Sequence, residues 1–175
     1  SESDEIIKEV DELIKRLRKH SKETVKEIEE ILTRLEERSR KSVKEIEDEI
    51  RKLEDIVRKR GNTEEVRELI KKILEDIERM LEENERLAKE VKDRIEKLLR
   101  DNERLVRDIK RKLREKLSVE EKARTLERKL DKILEETKRE AEELKKRLDE
   151  LVEKTRRLIE ELKRRLKELL DRAET

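Results

Sequence analysis

Asn84-Glu85-Arg86-Leu87 recurs eighteen residues later as Asn102-Glu103-Arg104-Leu105, and hydroxyl residues keep the same interval: Ser21 and Ser39, Thr24 and Ser42, Thr137 and Thr155. A side-chain amide carries two N–H donors and an acceptor oxygen, and a hydroxyl both donates and accepts. The chemistry these residues offer is therefore hydrogen bonding. A nucleophilic hydroxyl needs a paired base, and none accompanies these. His20 is the only histidine, so neither a two-histidine metal site nor a histidine relay can be built within one chain. It reads either as a boundary residue beside the first hydroxyl group or as a polar-network member with modest pH sensitivity.

The remaining candidates point the same way. There is no Cys, hence no thiolate ligand or disulfide, and Gly61 stands alone, hence no glycine-rich phosphate loop. Glu and Asp recur three and four residues from Lys and Arg, as on a salt-laced helix surface, with only Glu49 near the edge of an apolar arc. Met80 lies in the apolar stripe as filler. The sequence predicts no catalytic residue, no metal ligand, no cofactor and no enzyme.

Charge excludes other functions. Lys and Arg number 52 against 51 Asp and Glu. The balance is also local: 17 basic against 18 acidic residues in 1–60, 17 against 16 in 61–117, and 18 against 17 in 118–175. No segment has the net field that draws a protein to phosphate or to an anionic bilayer. The chain has no aromatic side chain to stack on bases, and no long uncharged run to span a membrane or serve as a signal peptide. Nucleic acid, membrane and small molecule are not expected partners, and no targeting signal marks a location. Ser1 in place of an initiator Met reads as a trimmed end.

With 59% charged and 31% hydrophobic residues, only periodicity separates disorder from packed helices. An inward stripe runs Ile6, Val10, Leu13, Leu17, Ser21, Thr24, Ile28, Ile31, Leu35, Ser39, Ser42, Ile46, Ile50, Leu53 and Val57. Its spacing is close to 3.6, and eighteen residues are five turns of an undistorted α-helix. The apolar arc is about 120° wide, which suits a helix touching two neighbours.

Two places interrupt the pattern. Gly61 can take the left-handed conformation that ends a helix, and Asn62 with Glu65 reads as a capping box. Ser118 with Glu121 repeats the device. Acidic residues open the segments and basic residues close them, matching the helix dipole. The basic stretch from Arg104 to Lys116 is accordingly read as helix-end chemistry plus a solvated face.

The expected fold is all-α: an antiparallel, up-down-up three-helix bundle of long, nearly untwisted helices. It forms a single domain over 1–175, with helices at about 3–60, 63–116 and 119–174. A turn at Gly61 sets Ser21 and Thr24 opposite Asn102, and Ser39 and Ser42 opposite Asn84; the second turn brings Thr137 to Asn102 and Thr155 to Asn84. Two buried polar layers are expected, about 27 Å apart by helical rise.

Straight 18-residue repeats, short links such as Gly61-Asn62 and Leu117-Ser118, an aliphatic core and evenly placed polar layers together resemble computationally designed helical bundles with buried hydrogen-bond networks. The resemblance covers the whole chain and rests on style, so it transfers no functional residue. Spectrin-type repeats usually carry an aromatic core residue, and apolipoprotein-type helices are usually punctuated by Pro; this chain has neither. The resemblance implies a scaffold without natural activity, whose polar layers specify helix register and pairing. The alternative is an interaction module that uses the same layers across chains, by self-association or with a designed helical partner.

Overall fold

The computed structural model describes residues 2–117 and 121–174. Three helices account for nearly all of them: α1, Glu2–Arg60; α2, Glu64–Lys116; and α3, Glu121–Glu174. The expected cap at Ser118 and the expected start of the third helix at 119 lie outside the described residues.

The chain divides into two compact units, and each helix contributes to both. The first comprises Ser1–Ile31 and Val91–Arg147; the second comprises Leu32–Glu90 and Leu148–Thr175. In the first unit Val10, Ile14 and Leu17 of α1 pack with Val106, Ile109 and Leu113 of α2 and with Leu126, Leu130 and Ile133 of α3. Cross-helix pairs give the directions. Glu9 meets Lys112 at 2.6 Å while Ser21 meets Asn102 at 2.9 Å, so α1 and α2 are antiparallel. Arg114 meets Glu127 at 3.2 Å and Glu103 meets Lys138 at 4.0 Å, so α2 and α3 are antiparallel.

The second unit packs Ile46, Ile50 and Leu53 against Ile70, Ile73 and Ile77 and against Ile159, Leu162 and Leu166. Arg38 of α1 pairs with Glu83 of α2, and Glu78 of α2 with Lys163 of α3 at 2.8 Å. Arg165 of α3 reaches Glu54 of α1. Ion pairs at the surface, of which Arg165–Glu54 is partly buried, contribute about 1 kcal/mol or less each, so the aliphatic layers carry the stability.

The eighteen-residue interval is visible in burial. Val10, Ile28 and Ile46 share one position of the repeat, Ile14, Leu32 and Ile50 another, and Leu17, Leu35 and Leu53 a third; all nine are buried. Away from its ends, where Ile6 and Val57 are partly buried, the buried stripe of α1 differs from the expected one at four places. Ile14, Val25, Leu32 and Val43 are buried, whereas Leu13, Thr24, Ile31 and Ser42, one residue earlier, are only partly so. The shift is the same at the two aliphatic pairs, Leu13/Ile14 and Ile31/Leu32, as at the two hydroxyl–valine pairs, where the cost of desolvating a hydroxyl favours the same choice.

The α1–α2 link also departs from its expected chemistry. Gly61 has φ 74°, and its N–H donates to Val57 O at 2.9 Å, closing α1. The cap of α2 is Thr63 rather than Asn62: Thr63 Oγ1 accepts from the Val66 N–H at 3.4 Å. Asn62 instead donates its Nδ2 to Leu169 O of α3 at 2.8 Å. The short link points the Asn62 amide across to α3, leaving the next hydroxyl to cap.

A Cβ at Gly61 would meet nothing within 4 Å, so substitution there strains the backbone without a clash. Gly61→Ala is expected to lower stability by about 1 kcal/mol and Gly61→Asn by less, since Asn tolerates the left-handed region. Thr63→Ala should cost about 1 kcal/mol. Urea midpoints of the three variants check these values.

Candidate functional site

Asn102 is the centre of the first polar layer. It is 1% exposed, with Ser21 at 5% and Thr137 at 4%. Ser21 Oγ donates to Asn102 Oδ1 at 2.9 Å, and Thr137 Oγ1 donates to the same oxygen at 3.4 Å. Asn102 Nδ2 donates to Leu98 O, one turn back on α2, at 3.1 Å. One amide thus joins all three helices, and its oxygen uses both lone pairs.

Thr24 stays outside this set. Its hydroxyl donates to His20 O on its own helix at 2.9 Å, the local bond that lets Thr occupy a helix without a tertiary partner. His20 itself is exposed, and so is Glu49.

The corresponding residues of the second unit are arranged differently. Ser39 and Thr155 are buried, while Asn84 and Ser42 are partly so. No hydrogen bond joins these four among the described residues, and the solvent-shielded Asn84 Nδ2 has no hydrogen-bond partner. A cavity of about 160 Å³, open to solvent on one side, lies here, bounded by Leu35, Leu81, Ala88 and Val152 as well as by Ser39, Asn84 and Thr155. A second, of about 260 Å³, shares Ser39, Leu151 and Thr155 and extends to the exposed Leu158.

Two lining positions also differ in side-chain volume from their counterparts in the first unit. Ala88 stands eighteen residues before Val106, which is buried at 3% in the first unit, and Val152 stands eighteen residues after Leu134. Both members in the second unit are smaller. Leu151 occupies the place of Ile133, which is 2% exposed, yet Leu151 is only partly buried. Within a single repeat Ala88 and Val152 are ordinary members of an apolar stripe. The signal was available in the comparison of one repeat with the next.

Elsewhere no group of three or more His, Cys, Asp or Glu side chains could hold a metal ion among the described residues. No helix among them is long and apolar enough to cross a membrane. One carboxyl stands out in the first unit. Burial raises the pKa of Glu140 above the ordinary glutamate value, Glu136, Glu29 and Glu143 add to the effect, and Lys22 opposes it.

The folded chain therefore holds the Glu140 proton more tightly than the unfolded chain. The cost of ionising it is absent below the unfolded pKa, grows as pH rises through the window between the two values, and is complete above the folded one. Glu140→Gln is expected to raise stability at pH 7 by about 0.3 kcal/mol, in line with relief of one like-charge helical contact, and to have no effect near pH 3. Urea titrations at the two pH values measure this; an equal gain at both would assign it to packing instead.

Comparison with protein-family models and with curated proteins finds no match. Among solved structures, the chain is similar to one described as a computationally designed three helix bundle: TM-score 0.60, 22% sequence identity, 98% of this chain and 88% of that chain covered. The chain has the fold of a three-helix bundle, shared with a designed protein.

Proposed function

We propose that this protein is a designed structural scaffold without natural biochemical activity, that residues 1–175 act as a single helical-bundle domain, and that its buried polar residues specify helix register and pairing. The observation that carries the reading is the Asn102 oxygen, which accepts from Ser21 of α1 and Thr137 of α3. Sliding either helix would set the amide against aliphatic side chains and strand its hydrogen-bonding groups, at about 1 to 3 kcal/mol for each buried group left unpaired. An aliphatic stripe with no polar member tolerates such slippage. Each helix contributes to both compact units, which favours one domain. Similarity to a designed three-helix bundle favours a non-enzymatic role.

The interaction-module alternative has one observation in its favour: Leu69, Leu158 and Ile56 are 45%, 41% and 39% exposed. Molar mass by light scattering over a hundredfold range of concentration separates the two readings. A constant monomer mass is expected, whereas a dimer, or a mass that rises with concentration, would favour the module. The specifying role has its own test. Asn84→Leu with Asn102→Leu is expected to raise stability by about 1 to 3 kcal/mol and to yield more than one species in solution. A large loss of stability with one species retained would count against that role.

A further inference from the structure

The cavity at Asn84 combines two features of a small-molecule site: apolar walls and a few converging polar groups. Leu35, Leu81, Ala88 and Val152 supply the walls. Asn84 Nδ2 supplies a shielded N–H donor without a partner, and the buried Ser39 and Thr155 hydroxyls lie beside it. A shielded donor is most stabilised by an acceptor oxygen. At the rim stand Glu85 and Arg156, whose opposite charges favour neither anion nor cation. The volume, about 160 Å³, is close to the roughly 150 Å³ of an apolar cavity known to hold benzene.

We propose that this cavity binds a small neutral molecule in which one hydrogen-bond acceptor is attached to an apolar ring, such as a cyclic ketone. The acceptor oxygen takes the Asn84 N–H, while the ring fills the space that Val106 and Leu134 occupy in the repeat of the first unit and that Ala88 and Val152 leave open. The Asn102 layer does not offer this, because its amide nitrogen already donates to Leu98 O and Val106 fills the wall beside it. The site is independent of the scaffold reading, since a scaffold and an interaction module would both contain it.

The test uses the full ¹⁵N-labelled chain, titrated with cyclohexanone and, separately, with toluene, which has the same number of heavy atoms and no carbonyl. The Ala88 backbone amide and the Asn84 side-chain amide report binding by NMR. Cyclohexanone is expected to give a saturable shift with a dissociation constant of about 1 mM and to bind more tightly than toluene although it is less hydrophobic. Asn84→Leu should reverse that preference, changing the ratio at least about tenfold. Ala88→Val should weaken cyclohexanone at least about fivefold, and since Val at 88 can overpack, Val152→Leu fills the same space from α3. Resonances remote from the cavity check that each variant is folded. A preference for toluene in both the unsubstituted chain and Asn84→Leu would reduce the site to an apolar void and overturn the proposal. So would the lack of a saturable shift with either compound, or unchanged cyclohexanone binding in both folded filling variants.

Discussion

An amide buried among aliphatic side chains has few ways to keep its hydrogen bonds, and Asn102 meets that constraint by drawing on all three helices. Its oxygen needs donors, which Ser21 and Thr137 provide; its nitrogen needs an acceptor, which Leu98 O provides one turn back. The aliphatic contacts around it are larger in sum but indifferent to register, because leucine packs nearly as well against one isoleucine as against the next. Hydrophobic burial therefore supplies the drive to associate, and the amide supplies the reason to prefer one alignment.

The second asparagine shows that an identical local sequence need not give an identical environment. Asn84 and Asn102 share the tetrapeptide Asn-Glu-Arg-Leu, yet Asn102 is satisfied and Asn84 faces a cavity. The wall residues that differ lie one turn away and on another helix: Ala88 against Val106, Val152 against Leu134. Removing methyl groups from a wall changes what a polar side chain can reach, because close packing transmits small changes in volume.

Much of the fold was legible because each signal was local and repeated. The 3.6-residue spacing, the single Gly at 61 and the acid-to-base order along each helix act over a few residues and point to three helices. The legibility weakened where two neighbours competed for one role. Thr63 took the cap that Asn62 also fitted, and Val25 and Val43 took the core positions that Thr24 and Ser42 also fitted. The first choice depends on α3 as well as on the link: local rules do not contain the Leu169 carbonyl that the Asn62 amide bonds. Of the eight polar residues singled out, Ser21, Asn102 and Thr137 are joined by hydrogen bonds, and Thr24 bonds its own helix instead.

The claim on which the rest depends is that Ser21 and Asn102 are energetically coupled through one hydrogen bond. A double-mutant cycle of Ser21→Ala and Asn102→Leu, read by urea unfolding, isolates that coupling from the packing effect of either change. The expected coupling is about 1 kcal/mol, with Ser21→Ala destabilising the chain that retains Asn102 and nearly neutral in the one that carries Leu. Additivity of the two substitutions to within about 0.3 kcal/mol would contradict it, and would leave the Asn102 amide as a tolerated passenger in an aliphatic core.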